Sequence, residues 1–270
     1  MSAYHNNTPC RAAQRGFTLV ELMVTVSIAV FLLFGLTTVV QSVRQANFNQ
    51  QALAQLQDEQ RFAMTVITDV IQAGGYYPSA TPAGTPGSAW TPATSLIAWN
   101  GPPAWAVFAT GQAFAGSHPG ATPDGFGVRY RTNGNDGVIL CDGSTNNVAG
   151  STYAYANQFT VVPPAGNVPG QLFCQLSNVT NNTSNAPVAL VNGVQNMTIY
   201  YGVNRNAPAA NYNVDTYLTA DQMLNTDWGN ISSVRVVLQF TNPLANQAGQ
   251  PAFIQFERVI QVMGRAGMHS

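Results

Sequence analysis

The chain has 270 residues, a formal net charge of -1 and 8% charged residues, against roughly 25% in ordinary globular domains. That length fits one or two domains with a full core, and a hydrophobic fraction of 46% excludes a charge-rich disordered chain. There is no Lys, the Arg residues are scattered, and the three Cys and three His offer little to a metal cluster. A dedicated nucleic-acid binder is disfavoured, and neither metal nor cofactor is expected.

Residues 1–16 form a polar leader with Arg11, Arg15 and no acid. Residues 17–40, FTLVELMVTVSIAVFLLFGLTTVV, follow as an apolar run broken by one charge, Glu21. At about 1.5 Å per residue the run spans roughly 36 Å, enough to cross a hydrocarbon core of about 30 Å. The basic leader keeps the N-terminus cytoplasmic by the positive-inside rule. An ordinary secretory signal has a shorter apolar region followed by a cleavage site, whereas here a helical pattern continues. A plain membrane anchor leaves Glu21 unexplained, because a carboxylate at mid-membrane costs about 2.5–3.5 kcal/mol.

The string RGFTLVEL, Arg15 to Leu22, resembles the signal of type IV prepilins and type II secretion pseudopilins. The resemblance implies cleavage between Gly16 and Phe17 by a prepilin peptidase, N-methylation of Phe17 and retention of the apolar helix. It also implies a filament in which Glu21 of one subunit meets the Phe17 ammonium of a neighbour. At 4 Å and an effective dielectric of 20 that attraction is about 4 kcal/mol before desolvation. Such a contact sets axial register more than it adds net stability.

Residues 41–75 extend the helix in amphipathic form to about residue 73, with no Gly or Pro before Gly74 and Gly75. Leu53, Leu56, Ala63, Val66, Ile67 and Val70 make one apolar stripe. The segment DVIQAGGY, 69–76, resembles the end of this helix in PilW-type minor pilins. Residues 76–123 hold many Pro, Gly and Ala and three of the four Trp, Trp90, Trp99 and Trp105. Little regular structure is expected there, and the Trp residues either anchor the loop or form a partner surface.

Residues 124–264 carry a β pattern. Its runs are Gly125 to Arg131, Val138 to Cys141, Tyr153 to Val162, Gln171 to Leu176, Val188 to Tyr201, Ile231 to Phe240 and Ala252 to Met263. Thr219 to Leu224 fits a short capped helix, and residues 265–270 form a tail. LVNGVQNMTIYYGVN (190–204), VDTYLTADQM (214–223) and Trp228 before NISSVRVVLQF also resemble the PilW type. The expected class is α+β: a long N-terminal helix packed on an antiparallel β-rich, pilin-like head.

Cys10 leaves with the leader, so Cys141 and Cys174 remain as an even pair in an exported region, and a disulfide is expected. Enzyme motifs are missing: there is no H-E-x-x-H, G-x-S-x-G or P-loop, and Gly125-Phe126-Gly127 lacks the third glycine of a dinucleotide fingerprint. After processing, His118 and His269 are the remaining histidines. Asp215, Asp221 and Asp227 fit a solvated turn region as well as a site. NGNDG (133–137) and DGSTNN (142–147) fit turns better than Ca²⁺ ligands. Arg129 and Arg131 share one strand face and could touch phosphate, weak ground for a nucleic-acid contact.

The resemblance therefore implies a minor pilin, not an enzyme, that takes part in pilus assembly and priming near the tip. Its implied partners are other minor and major pilins through the N-terminal helix, the prepilin peptidase, the inner-membrane assembly platform and the membrane itself. The implied location is the bacterial inner membrane with a periplasmic head, then the pilus at the cell surface. A J-type pseudopilin of type II secretion shares the N-terminus. A tip adhesin or DNA-binding subunit would use the 78–123 loop.

Overall fold

The structure, a computed structural model, describes residues 16, 18–78, 91–166, 168–205 and 213–263. The expectations for Cys10, Arg15, Phe17, Trp90 and the 265–270 tail with His269 lie outside the described residues. The chain has an α+β layout and divides into two compact units, Met1–Gln51 and Ala52–Ser270.

The helix α1 is Leu19–Gln72. Within the second unit it buries Leu56, Ala63, Met64, Ile67, Val70 and Ile71. Leu53 and Val66 of the expected stripe are half-buried, so the true seam is rotated toward Met64 and Ile71. Full burial of each large side chain stabilises by about 1.5–3 kcal/mol. Gly75 closes the helix with φ +79°, a conformation costly for any residue with a Cβ. Its N–H donates to the Arg129 carbonyl at 3.0 Å, tying the helix end to the sheet.

Past the turn lie α2 (Pro92–Ser95), β1 (Trp99–Asn100) and β2 (Val107–Phe108), the last two paired with each other. A six-stranded sheet follows. It contains β3 (Phe114–Ser117), β4 (Gly125–Asn133), β5 (Thr152–Val162), β6 (Gln171–Asn178), β7 (Thr183–Ser184) and β8 (Val188–Asn192). Its order is β3-β4-β5-β6-β7, with β8 also on β6. The second sheet holds β9 (Val194–Val203), β10 (Thr216–Leu218), β11 (Ile231–Thr241) and β12 (Phe253–Gln261), ordered β10-β9-β11-β12. The pairings of these strands are antiparallel. Inner side chains of both sheets, such as Phe126, Phe159, Ile199 and Leu238, close one core with the α1 seam.

Three expectations need correction. The single strand Val188 to Tyr201 is two strands in different sheets, because Gly193 turns the chain at φ +79°. Val138 to Cys141 is not a strand; it makes one isolated bridge, Ile139 to Thr145, and the Cys141 N–H goes to Asn157 Oδ1 at 2.8 Å. The 91–117 part of the expected loop is ordered by α2, β1, β2 and β3 rather than irregular.

The force that orders 91–117 comes from β4, which is buried on both faces. Phe126, Val128 and Tyr130 face the main core. Gly125, Gly127, Arg129 and Arg131 alternate to the other face. Arg129 is fully buried. Its Nε donates to Gln112 O, its Nη1 to Ile97 O, and its Nη2 to Leu96 O (3.2 Å) and Ala109 O. Phe108 lies 4.9 Å from the guanidinium carbon. Arg131 reaches Ser95 O and Thr152 O, both at 3.0 Å. Gly125 and Gly127 leave room for the rings of Trp105 and Phe108, which a Cβ would meet.

Burial lowers the Arg129 pKa to about 9, so the cation persists at neutral pH inside a shell of carbonyl dipoles. Replacing it strands those carbonyls, at about 1–3 kcal/mol each. Arg129→Met should destabilise the second unit by at least about 3 kcal/mol in urea unfolding of the full chain. Arg129→Lys should recover only part of that, because an ammonium lacks the planar fork. Equal stability of Arg129→Met and the unaltered chain would refute this anchoring role.

Candidate functional site: the N-terminal assembly motif

The motif is built at the start of α1. Gly16 is exposed; Phe17 lies outside the described residues. Thr18 caps the helix: its Oγ1 accepts from Glu21 N at 3.3 Å, and its carbonyl accepts from Leu22 N at 3.2 Å. Glu21 stands in the first turn, where the positive end of the helix dipole favours a carboxylate. Its side chain makes no hydrogen bond or ion pair with a described residue.

The other polar side chains of the apolar run are satisfied by the helix itself. Thr25 donates to Leu22 O (3.0 Å), Ser27 to Met23 O (2.8 Å), Thr37 to Phe34 O (2.8 Å) and Thr38 to Gly35 O (2.7 Å). This is what an apolar medium demands, since it offers hydroxyls no other partner. The apolar side chains point outward: Leu19 is 76% exposed and Phe31 85%. The most apolar stretch has a mean hydropathy of 2.5 and is long enough to cross a membrane. The segment thus offers a continuous apolar surface with a single unanswered carboxylate near its N-terminal end.

In the head, Cys141 and Cys174 form a disulfide, with Cα atoms 6.0 Å apart across 33 residues of sequence. It fastens the 138–143 segment to β6. Arg129 and Arg131, the phosphate candidates, are buried under the 91–117 segment and unavailable to an anion. Trp99 and Trp105 pack with Phe108, Ala154 and Ala156, and Trp99 Nε1 donates to Asn182 Oδ1 at 3.1 Å. Among the described residues, then, the Trp side chains anchor the loop.

The remaining polar candidates are also structural. His118 Nδ1 lies 2.7 Å from Asp124 Oδ1, while Asp124 Oδ2 accepts from Ile199 N at 2.8 Å. This pins the 117–124 turn to β9. Asp136 accepts from Asn133 N and Val138 N, and Asp142 from Ser144 N and its hydroxyl, which is turn chemistry. Gln222 Oε1 caps Thr219 N at 3.2 Å in the 3₁₀ turn Ala220–Gln222. Among the described residues no group of three or more His, Cys, Asp or Glu is placed to hold a metal ion.

Asp227 corrects the expectation of a solvated turn. It is buried and takes Arg205 Nε on both oxygens, at 3.2 and 3.1 Å. Leu224 N adds a bond at 2.8 Å, and Arg205 N donates to Asp215 Oδ2 at 3.0 Å. Arg205 was not legible as a partner because 22 residues separate it from Asp227.

Residues 11–37 match the model of the prokaryotic N-terminal methylation motif, and residues 158–259 match that of the type IV pilus-assembly protein W family. These are the matches of a PilW-like, prepilin-type pilin. No curated protein matches the chain. The first match covers the capped N-terminus and most of the exposed apolar run. The second runs from β5 into β12, so it takes in the second sheet and much of the first.

The Arg205 hydrogen bonds, helped by Leu224 N, hold the Asp227 carboxyl below the ordinary carboxylate range. A depressed carboxylate contributes stability above its unfolded value, near 3.9, and loses it as pH falls through the folded value. Burial moves Asp124 the opposite way, up, so its protonation favours the fold as pH falls. Asp227→Asn should therefore flatten the acid limb below about pH 4 in thermal unfolding, while Asp124→Asn steepens it. Identical acid limbs for Asp227→Asn and the unaltered chain would remove the Arg205 bridge from the argument.

Proposed function

We propose that this pilin is a minor subunit of a type IV pilus that works in assembly. The leader, through Arg11 and Arg15, holds the N-terminus on the cytoplasmic side of the inner membrane, with the head in the periplasm. The prepilin peptidase cuts between Gly16 and Phe17, and Phe17 is methylated. The assembly platform then draws the 17–40 helix out of the bilayer among the helices of other minor and major pilins. The head sits at or near the tip and primes growth, and the subunit ends on the cell surface.

One observation carries this reading: a single unanswered carboxylate, Glu21, in the first turn of a helix whose apolar 19–40 stretch is exposed. Glu21 lies one turn beyond the new N-terminus that cleavage creates. Within one subunit both charges are at the same end of the same helix; in a staggered filament, a neighbour's ammonium can reach the carboxylate. Buried in an apolar filament core, each charge needs the other. The family matches support a structural role rather than an enzymatic one.

Glu21→Val should leave leader removal intact, as read by the mass of the membrane-extracted chain. It should reduce the chain's abundance in sheared pili by at least tenfold. Entry into pili at the unaltered level would defeat the register argument. In a clean deletion strain, pili should be lost and exoenzyme secretion kept; intact pili with blocked secretion would move the protein to a secretion pseudopilus.

A further inference from the structure

Within the second unit a cavity of about 260 Å³ opens between α1 and the disulfide-bound turn at 139–143. Its walls are Phe62, Val66, Val70, Ile139, Leu140 and Leu190. Two carboxylates, Asp69 and Asp142, share the site, and among the described residues no cation lines it. Phe62 is 52% exposed and Ile139 57%, although both are large apolar side chains beside a well-filled core.

The two acids have capacity to spare. Asp69 makes no side-chain hydrogen bond or ion pair with a described residue. Asp142 gives Oδ1 to Ser144 and leaves Oδ2 without a described partner. Asp136 adds to the same negative field, since it acts on buried Tyr130 together with Asp69 and Asp142. This field repels phosphate and anionic lipid.

An apolar slot beneath two carboxylates fits one kind of side chain. Lys and Arg bury an aliphatic stem and keep the charged head where it can pair. A cavity of about 150 Å³ already takes a benzene ring, so this one has room for such a stem. The slot is also preformed. The disulfide holds Cys141 to β6, Asn157 holds the Cys141 N–H, and α1 supplies the other wall. A rigid site avoids ordering costs on binding.

Five described cations of the head are engaged elsewhere, and Arg61 lies outside the lining of the groove. Arg129 and Arg131 hold backbone carbonyls, Arg205 holds Asp227, Arg235 pairs with Glu257, and Arg258 donates to Thr68. We propose that this groove is the docking site for an arginine- or lysine-bearing segment of a different pilin subunit. The proposal rests on the minor-pilin reading above.

The test uses the full chain in piliated cells, with a photo-crosslinking residue in place of Ile139. The expected product joins another pilin at a peptide containing Arg or Lys beside an apolar residue. The double change Asp69→Asn, Asp142→Asn should cut the yield at least tenfold, and Asp69→Glu, Asp142→Glu should restore it. Retention of the Cys141–Cys174 bond on non-reducing gels shows that the variants fold. Capture of lipid, of a non-pilin protein or of a second copy of this chain would overturn the proposal. So would a crosslinked peptide without Arg or Lys, an answer that needs no acid variant, or a yield unchanged by neutralisation. Sheared pili from the same cells separate the two readings. If the chain is in the pili while the crosslink fails, docking alone falls; if it is missing from them, both fall.

Discussion

One backbone ladder has to serve two solvents. In the first unit α1 exposes nearly all its apolar side chains and turns the Thr25, Ser27, Thr37 and Thr38 hydroxyls back on its own carbonyls. In the second unit the same helix buries a narrow seam, Leu56 to Ile71, against two sheets. The helix can do both because its hydrogen bonds are internal and indifferent to what surrounds them. Much of the head's core is arranged around that seam, from Val128 and Tyr130 of β4 to Val236 and Leu238 of β11.

The scarcity of charge gives each ionic group a distinct assignment. Arg129 and Arg131 sit where a small domain would ordinarily place aliphatic side chains. They add directed bonds to carbonyls of a Pro- and Ala-rich segment whose Trp99, Trp105 and Phe108 pack beside them. The guanidinium fork suits that task, since it reaches several acceptors from one stem. Asp227 does the reverse, collecting Arg205 and the Leu224 N–H around one buried carboxylate.

What was legible in the sequence follows from the range of each interaction. The N-terminal motif is contiguous, so RGFTLVEL alone carried the resemblance that the methylation-motif match bears out. Long strands such as 231–241 showed through alternation, which is local. The 91–117 segment did not, because its strands are as short as two residues and depend on Arg129, whose Leu96 contact spans 33 positions. Val138 to Cys141 looked like a strand by composition, yet an Asn157 side chain takes its backbone donor. Arg129 and Arg131 were correctly placed on one face, but nothing local says that this face is covered. Met64 and Ile71 were missed from the seam because periodicity fixes a stripe only to within a fraction of a turn.

The Cys141–Cys174 bond has a mechanical consequence for a head placed under load. It closes a loop with a sequence separation of 33, which holds all of β5 and the first half of β6. Fully extended, a stretch of that size would supply roughly 110 Å of contour at about 3.4 Å per residue. While the bond is intact that slack cannot be drawn out, whatever load reaches the head. Only the chain on either side of the covalent loop can yield, so the oxidised head is the less extensible one, and its stiffness becomes a property of the compartment that keeps the thiols joined.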